Sequence, residues 1–201
     1  MGNTLSGWVA CDGQEEAVDV VLGQDDTNPG KQNEGGQTLL GSAAWYGLEI
    51  VKILLRGGDD DPYGLDNGNQ TLLRCAARVG DEEVVKILLG RVNIEPDEPD
   101  RAGQTPLWYA ARNGHEEVVE LLLGLADVDP NTPDNRGRTP LWCAARNGHE
   151  GVVELLLGRS DVDPNIQDEE GRTPISCATD HLYLGVVEIL RGRDDVDLSL
   201  S

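Results

Sequence analysis

Apolar residues along this chain come in short blocks, and the clearest set lies at 103–124, GQTPLWYAARNGHEEVVELLLG. Thr105 suits a helix N-cap, because its hydroxyl can accept from a free amide two or three residues on. Pro106 follows at the first helical position, where a missing N–H costs nothing. The pattern predicts a short helix from there to about Arg112, with small Ala110 and Ala111 allowing close backbone approach. Gly114 supplies the positive φ of a tight turn. His115 opens a second predicted helix, through Glu116 and Glu117 to Leu123. Acids in that first turn suit the helix dipole. Val118, Val119, Leu122 and Leu123 form the apolar stripe, and Gly124 ends it as a C′ glycine.

The block recurs along the chain. Thr4, Thr38, Thr71, Thr105, Thr139 and Thr173 are spaced by 34 residues, with one spacing of 33 before Thr71. The missing residue falls between Gly57 and Thr71, in a loop, so helical register is kept. Glycine follows each anchor by nineteen residues, and by nine in all but the last unit, where Leu182 breaks the series. Six units follow, at about 1–33, 34–66, 67–100, 101–134, 135–168 and 169–201. Thr139-Pro140 and Thr173-Pro174 repeat the cap. Asp100, Asp134 and Asp168 each precede a glycine by three, which predicts a β-turn closed by the aspartate on its own backbone. One such unit cannot bury its apolar face, and about three stacked units are needed for stability.

The motif G-x-T-P-L-x-x-A-A-x-x-G-H-x-x-V-V-x-L-L-L, nearly complete at Gly103–Leu123 and Gly137–Leu157, resembles the ankyrin repeat. The 34-residue spacing and the DVDPN linkers at 127–131 and 161–165 resemble its fungal type. The resemblance implies one all-α ankyrin-repeat solenoid over 1–201, of stacked helix-turn-helix units joined by β-turn finger loops. It further implies a monomeric, non-catalytic module that needs no cofactor and binds another protein in its concave groove. One position departs from the family: three residues after the threonine, where histidine is usual, stand Gly7, Gly41, Arg74, Trp108, Trp142 and Ser176. The family's polar network is replaced there, and the two tryptophans are expected to add packing area.

Composition narrows the partner. Sixteen basic and 37 acidic side chains leave a net charge of −21. That balance argues against binding nucleic acid or anionic lipid. No apolar run approaches the ~20 residues needed to cross a bilayer. The N-terminus lacks the basic and apolar regions of a signal peptide. Four cysteines do not make a disulfide scaffold, so an intracellular, cytoplasmic setting is expected. Cys11, Cys75, Cys143 and Cys177 are expected to be free thiols. Successive units place Cα atoms about 10 Å apart, too far for a bridge that needs under about 7 Å. His115 and His149 share one repeat position and read as packing and capping residues. His181, in the altered last turn, is a candidate ligand contact. D-x-D-x-N in the linkers matches the start of a calcium loop. Its sixth and twelfth places, Thr132 and Arg138 or Ile166 and Arg172, do not. No metal site, phosphate loop or nucleophile–base pair is expected.

The resemblance places partner contacts on the turn tips and first helices. In the third unit these are Asn67, Gln70, Arg74 and Arg78, and in the fourth Arg101, Gln104, Trp108, Arg112 and Asn113. In the fifth they are Asn135, Arg136, Arg138, Trp142, Arg146 and Asn147. Trp45 and Tyr46 extend the set in the second unit, Arg172 and His181 in the sixth. Across the third to fifth units this face holds seven arginines against the turn aspartates Asp66, Asp100 and Asp134, net +4 in a chain of −21. A polar or acidic partner segment is therefore expected, with affinity that falls as salt rises. Arg78, Arg112 and Arg146 recur at one position and have a second reading, as braces paired with the turn aspartates. Arg101, Arg136 and Arg138 do not recur in every unit and are the stronger specificity candidates. Two other readings stay open: the sensor or targeting part of a larger receptor or regulated enzyme, and an engineered scaffold with no native partner.

Overall fold

A computed structural model describes residues 68–90 and 94–197. Among the described residues there are eight helices and no strand, so the fold is all-α. The helices are α1 (Gly68–Val79), α2 (Glu82–Leu89), α3 (Pro106–Asn113) and α4 (Glu116–Leu123), followed by α5 (Pro140–Asn147), α6 (Glu150–Leu157), α7 (Pro174–Asp180) and α8 (Leu184–Arg191). The chain forms two compact units. One holds the described residues of α1 up to Ala76 together with Glu83–Ile94, the other Ala77–Glu82 and Glu95 onward. In the first, Leu72, Leu73, Ala76, Val84, Val85 and Leu88 are fully buried. The deletion before Thr71, Trp45, Tyr46, Asn67 and Cys11 lie outside the described residues.

In the second unit, each repeat is a hairpin: α3 packs on α4, α5 on α6 and α7 on α8. Successive hairpins stack in two layers. First helices pack on first helices (α3 on α5, α5 on α7) and second on second (α4 on α6, α6 on α8). The local signals act as expected. The hydroxyls of Thr105, Thr139 and Thr173 accept from the amides of Trp108, Trp142 and Ser176, each three residues on. Gly114 takes φ 79° after α3. The core between layers is narrow: Leu107, Ala110 and Ala111 meet Val118, Val119 and Leu122 in the fourth unit, all buried. Each fully buried Val or Leu contributes roughly 1.5–3 kcal/mol.

Two local expectations change. Gly124, Gly158 and Gly192 end the second helices at φ −70°, −64° and −71°. They are right-handed, not the left-handed C′ glycines of the sequence reading. The chain there continues one tightened turn into the linker. His115 and His149 start the second helices but make no side-chain cap. Each ring instead lies over the turn glycine of the preceding repeat, and each Nε2 donates to a carbonyl there, Arg78 O or Arg112 O, at 3.0 Å. A Cβ at Gly80 or Gly114 would meet that ring at 2.4 or 2.6 Å. Glycine is thus required there for space as well as for φ.

Linkers also join the repeats. Asn131 donates from Nδ2 to Asp161 O at 2.6 Å, and its Oδ1 accepts from the Asp163 amide at 2.8 Å. Asn165 does the same with Asp195 O and the Asp197 amide. The asparagines of the DVDPN stretches therefore have structural work that sets their positions. Arg159 and Arg193 reach back to carbonyls at the ends of α4 and α6, Leu123 O and Leu157 O.

Candidate functional site

The turn tips are built first by aspartate. Oδ1 of Asp134 accepts from the amides of Arg136 and Arg138 at 2.9 and 3.0 Å, and Asp100 and Asp168 repeat this on their own tips. The tips are also laced together, the Asn135 amide donating to Ala102 O and the Glu169 amide to Arg136 O, both at 2.9 Å. Asn135 Nδ2 adds a bond to Arg101 O at 2.9 Å. These contacts fix the tip side chains relative to the helices behind them.

Oδ2 of the same aspartates selects particular arginines. Arg138 donates to Asp134 from Nε at 2.8 Å and from Nη2, and Arg172 donates to Asp168 at 2.9 and 2.7 Å. Both aspartates are buried. Burial works to raise the Asp168 pKa, but the Arg172 hydrogen bonds and two backbone amides hold it below the usual carboxylate range. Arg172 reaches Glu170 as well, at 3.1 Å. Asp100, which has glutamine four residues on, accepts from the Tyr109 hydroxyl at 3.0 Å instead.

The tryptophans form the floor. Trp108 and Trp142 are each 1% exposed. Trp108 Nε1 donates to Arg138 O at 3.0 Å and Trp142 Nε1 to Arg172 O at 3.2 Å, tying each ring to the next turn. Guanidinium groups cover them. Arg112 and Arg138 lie 5.4 and 5.5 Å from the Trp108 centroid. Arg138, Arg146 and Arg172 lie 5.8, 5.5 and 5.4 Å from that of Trp142. Arginine and tryptophan therefore alternate from Arg112 to Arg172. Cys143 and Cys177 complete this buried cluster, and Tyr109 packs against it. Both thiols are free. Burial raises both pKa values, that of Cys177 to about 11, so neither is a thiolate near neutrality.

The expected contact residues separate into classes. Arg112 and Arg146 meet no carboxylate within ion-pair distance among the described residues. The aspartate braces are Arg138 and Arg172. The bracing role foreseen for the recurring arginines thus falls on Arg138, for a local reason: an arginine four residues after the turn aspartate reaches it without crossing between units. Arg101, Arg136 and Arg112 are exposed, and Arg146, Gln104 and Arg74 are half-buried. Arg78 is exposed at the end of α1, and Gln70 lies on that helix. Asn113 donates to Arg78 O and Asn147 to Cys143 O, so both amides are partly engaged. His181 donates from Nδ1 to Cys177 O at 2.9 Å, and its ring stacks on Tyr183 with centroids 6.1 Å apart. Tyr109 and Tyr183 were missed by the sequence reading. Tyr183 stands where other units have His115 and His149, and that register was the available signal.

On the second helices Glu116, Glu117, Glu120 and Glu154 line an open depression with Gly151 and Arg159. Among the described residues no group of three His, Cys, Asp or Glu is placed to hold a metal ion. No helix there is long and apolar enough to cross a membrane. The family model described as ankyrin repeats (3 copies) matches residues 6–100, 59–134 and 125–200. No curated protein matches the chain.

Proposed function

We propose, from the premise that this chain belongs to the ankyrin-repeat family, that it binds an acidic or polar segment of another protein along its turn tips and first helices. Ankyrin repeats are in general modules of protein–protein interaction and in general non-catalytic. The finer reading is supported by one observation above the rest. The guanidiniums of Arg112 and Arg146 lie on buried tryptophan rings and are not spent on carboxylates among the described residues. A guanidinium held over a ring loses little freedom on binding and keeps its donors for a bidentate carboxylate. The paired Arg138 and Arg172 hold the floor in place between them. Exposed Arg101 and Arg136 add charge at the tips. The module acts as a monomer and performs no chemistry of its own.

The test uses labelled acidic, neutral and basic peptides and the whole chain, read by fluorescence anisotropy. The acidic peptides bind, the basic ones do not, and Arg112→Glu with Arg146→Glu weakens binding by about a hundredfold, as loss of two charged hydrogen-bond sets requires. The double variant keeps a cooperative circular-dichroism melt, its midpoint lowered by the loss of the two guanidinium–ring contacts. Unchanged binding in a folded double variant, or equal binding of basic peptides, overturns the reading.

A further inference from the structure

The face of the first helices changes sign along the second compact unit, and it does so in two rows at once. Seven residues after each anchoring threonine stand Arg112, Arg146 and then Asp180. At the turn tips stand Arg101, Arg136 and then Glu169 with Glu170. Arg146 is half-buried and the other six are exposed. The floor changes at the same boundary. Arg112 and Arg146 rest on Trp108 and Trp142, whereas the sixth repeat has Ser176 in that place. Its hydroxyl turns inward, closing a capping box with Thr173. Ring and guanidinium are lost together, and a carboxylate takes their position. Among the described residues Asp180 forms no ion pair, so its charge faces outward uncompensated.

We infer that the groove reads the order of charges in its partner: a polyproline-II segment with two carboxylates three residues apart over Arg112 and Arg146, and a Lys or Arg three residues further over Asp180. This rests on the function proposed above. The spacing follows from geometry. Packed helices of successive repeats lie about 10 Å apart, and a polyproline-II chain advances about 3.1 Å per residue with about three residues per turn, so every third side chain returns to the same face about one repeat further on. Like charges set opposite each other are disfavoured, so a segment laid the other way loses at both ends.

Four labelled heptapeptides decide it: Glu at 1 and 4 with Lys at 7, Lys at 1 with Glu at 4 and 7, Glu at 1 and 7 with Lys at 4, and Glu at all three. One of the first two binds the wild-type chain about tenfold more tightly than the peptide with central Lys, a difference of roughly 1.4 kcal/mol. In Asp180→Lys the all-Glu peptide becomes the tightest. The exposed position of Asp180 leaves the fold intact, checked by an unchanged melt. If the first three bind equally, or Asp180→Lys leaves the ranking as it was, the inference falls. If acidic peptides still bind and lose binding in Arg112→Glu with Arg146→Glu, the groove reading survives that failure. If none binds, both fall.

Discussion

Asn131 and Asn165 each use both ends of one amide to hold the next linker, and Asp97 occupies the same repeat position with only half the means. Its Oδ2 accepts from the Asp129 amide at 3.1 Å, as the asparagine oxygens do. Its Oδ1 is buried without a hydrogen-bond partner, in the place where the others put an NH2 group. Burial first, then the charge of Asp129, raises the Asp97 pKa above the ordinary 3.8, against the opposing hydrogen bonds. A raised carboxyl favours the folded state only when protonated. Its contribution is full below 3.8 and is lost as pH climbs through the folded-state value. Asp97→Asn should therefore stabilise the chain at pH 7 by about 1 kcal/mol, the net worth of one restored hydrogen bond. That advantage should shrink as pH falls toward 3.8. Urea melts of both chains at several pH values measure it, and a gap that widens on acidification contradicts the assignment.

Hairpins lock through the turn between their two helices. The ring of the following repeat sits on a bare Cα: His115 on Gly80, His149 on Gly114, Tyr183 on Gly148. At the same position in the sixth repeat, Leu182 carries a side chain at φ 60° and is 78% exposed. Substitutions at this one place should have opposite signs. Gly114→Ala meets His149 at 2.6 Å and keeps φ 79°, so backbone strain and overpacking together cost about 3 kcal/mol. Leu182→Gly removes left-handed strain and forfeits almost no packing, a gain of about 1 kcal/mol. Thermal melts of the two variants check both signs, and a destabilised Leu182→Gly would show that the leucine is held by contacts. The contrast also shows what could be read from the sequence. Thr-Pro caps, the Gly114 turn and the Val-Val-Leu stripe are local in their physics and were legible. The floor of the site was legible as two tryptophans at one register. The seat of the histidines was not, because it is made by a turn glycine 35 residues away. Nor was the sorting of arginines. Arg138 and Arg172 meet Asp134 and Asp168 within their own tips, whereas the sequence reading sought those aspartates for Arg112 and Arg146.

On the function proposed above, a chain of net charge −21 presents an arginine row to an acidic partner, and the two fields compete over distance. Ionic strength decides which one the partner feels. At about 0.01 M salt the screening length is about 30 Å, and an approaching acidic peptide meets the repulsion of the whole chain. At about 0.15 M it is about 8 Å, less than the spacing of neighbouring repeats, and only the nearest guanidiniums act. Above that, their attraction is screened in turn. The association rate of an acidic peptide should therefore pass through a maximum near about 0.1 M salt, while the dissociation rate, set by contacts already made, rises steadily. In Arg112→Glu with Arg146→Glu most of the attraction is gone, so the maximum should flatten and association should rise with salt over most of the range. Stopped-flow fluorescence with the labelled peptides resolves the two shapes. A wild-type rate that only rises with salt would mean that the arginine row exerts no attraction of its own at any range, leaving repulsion by the acidic chain as the one field the partner meets.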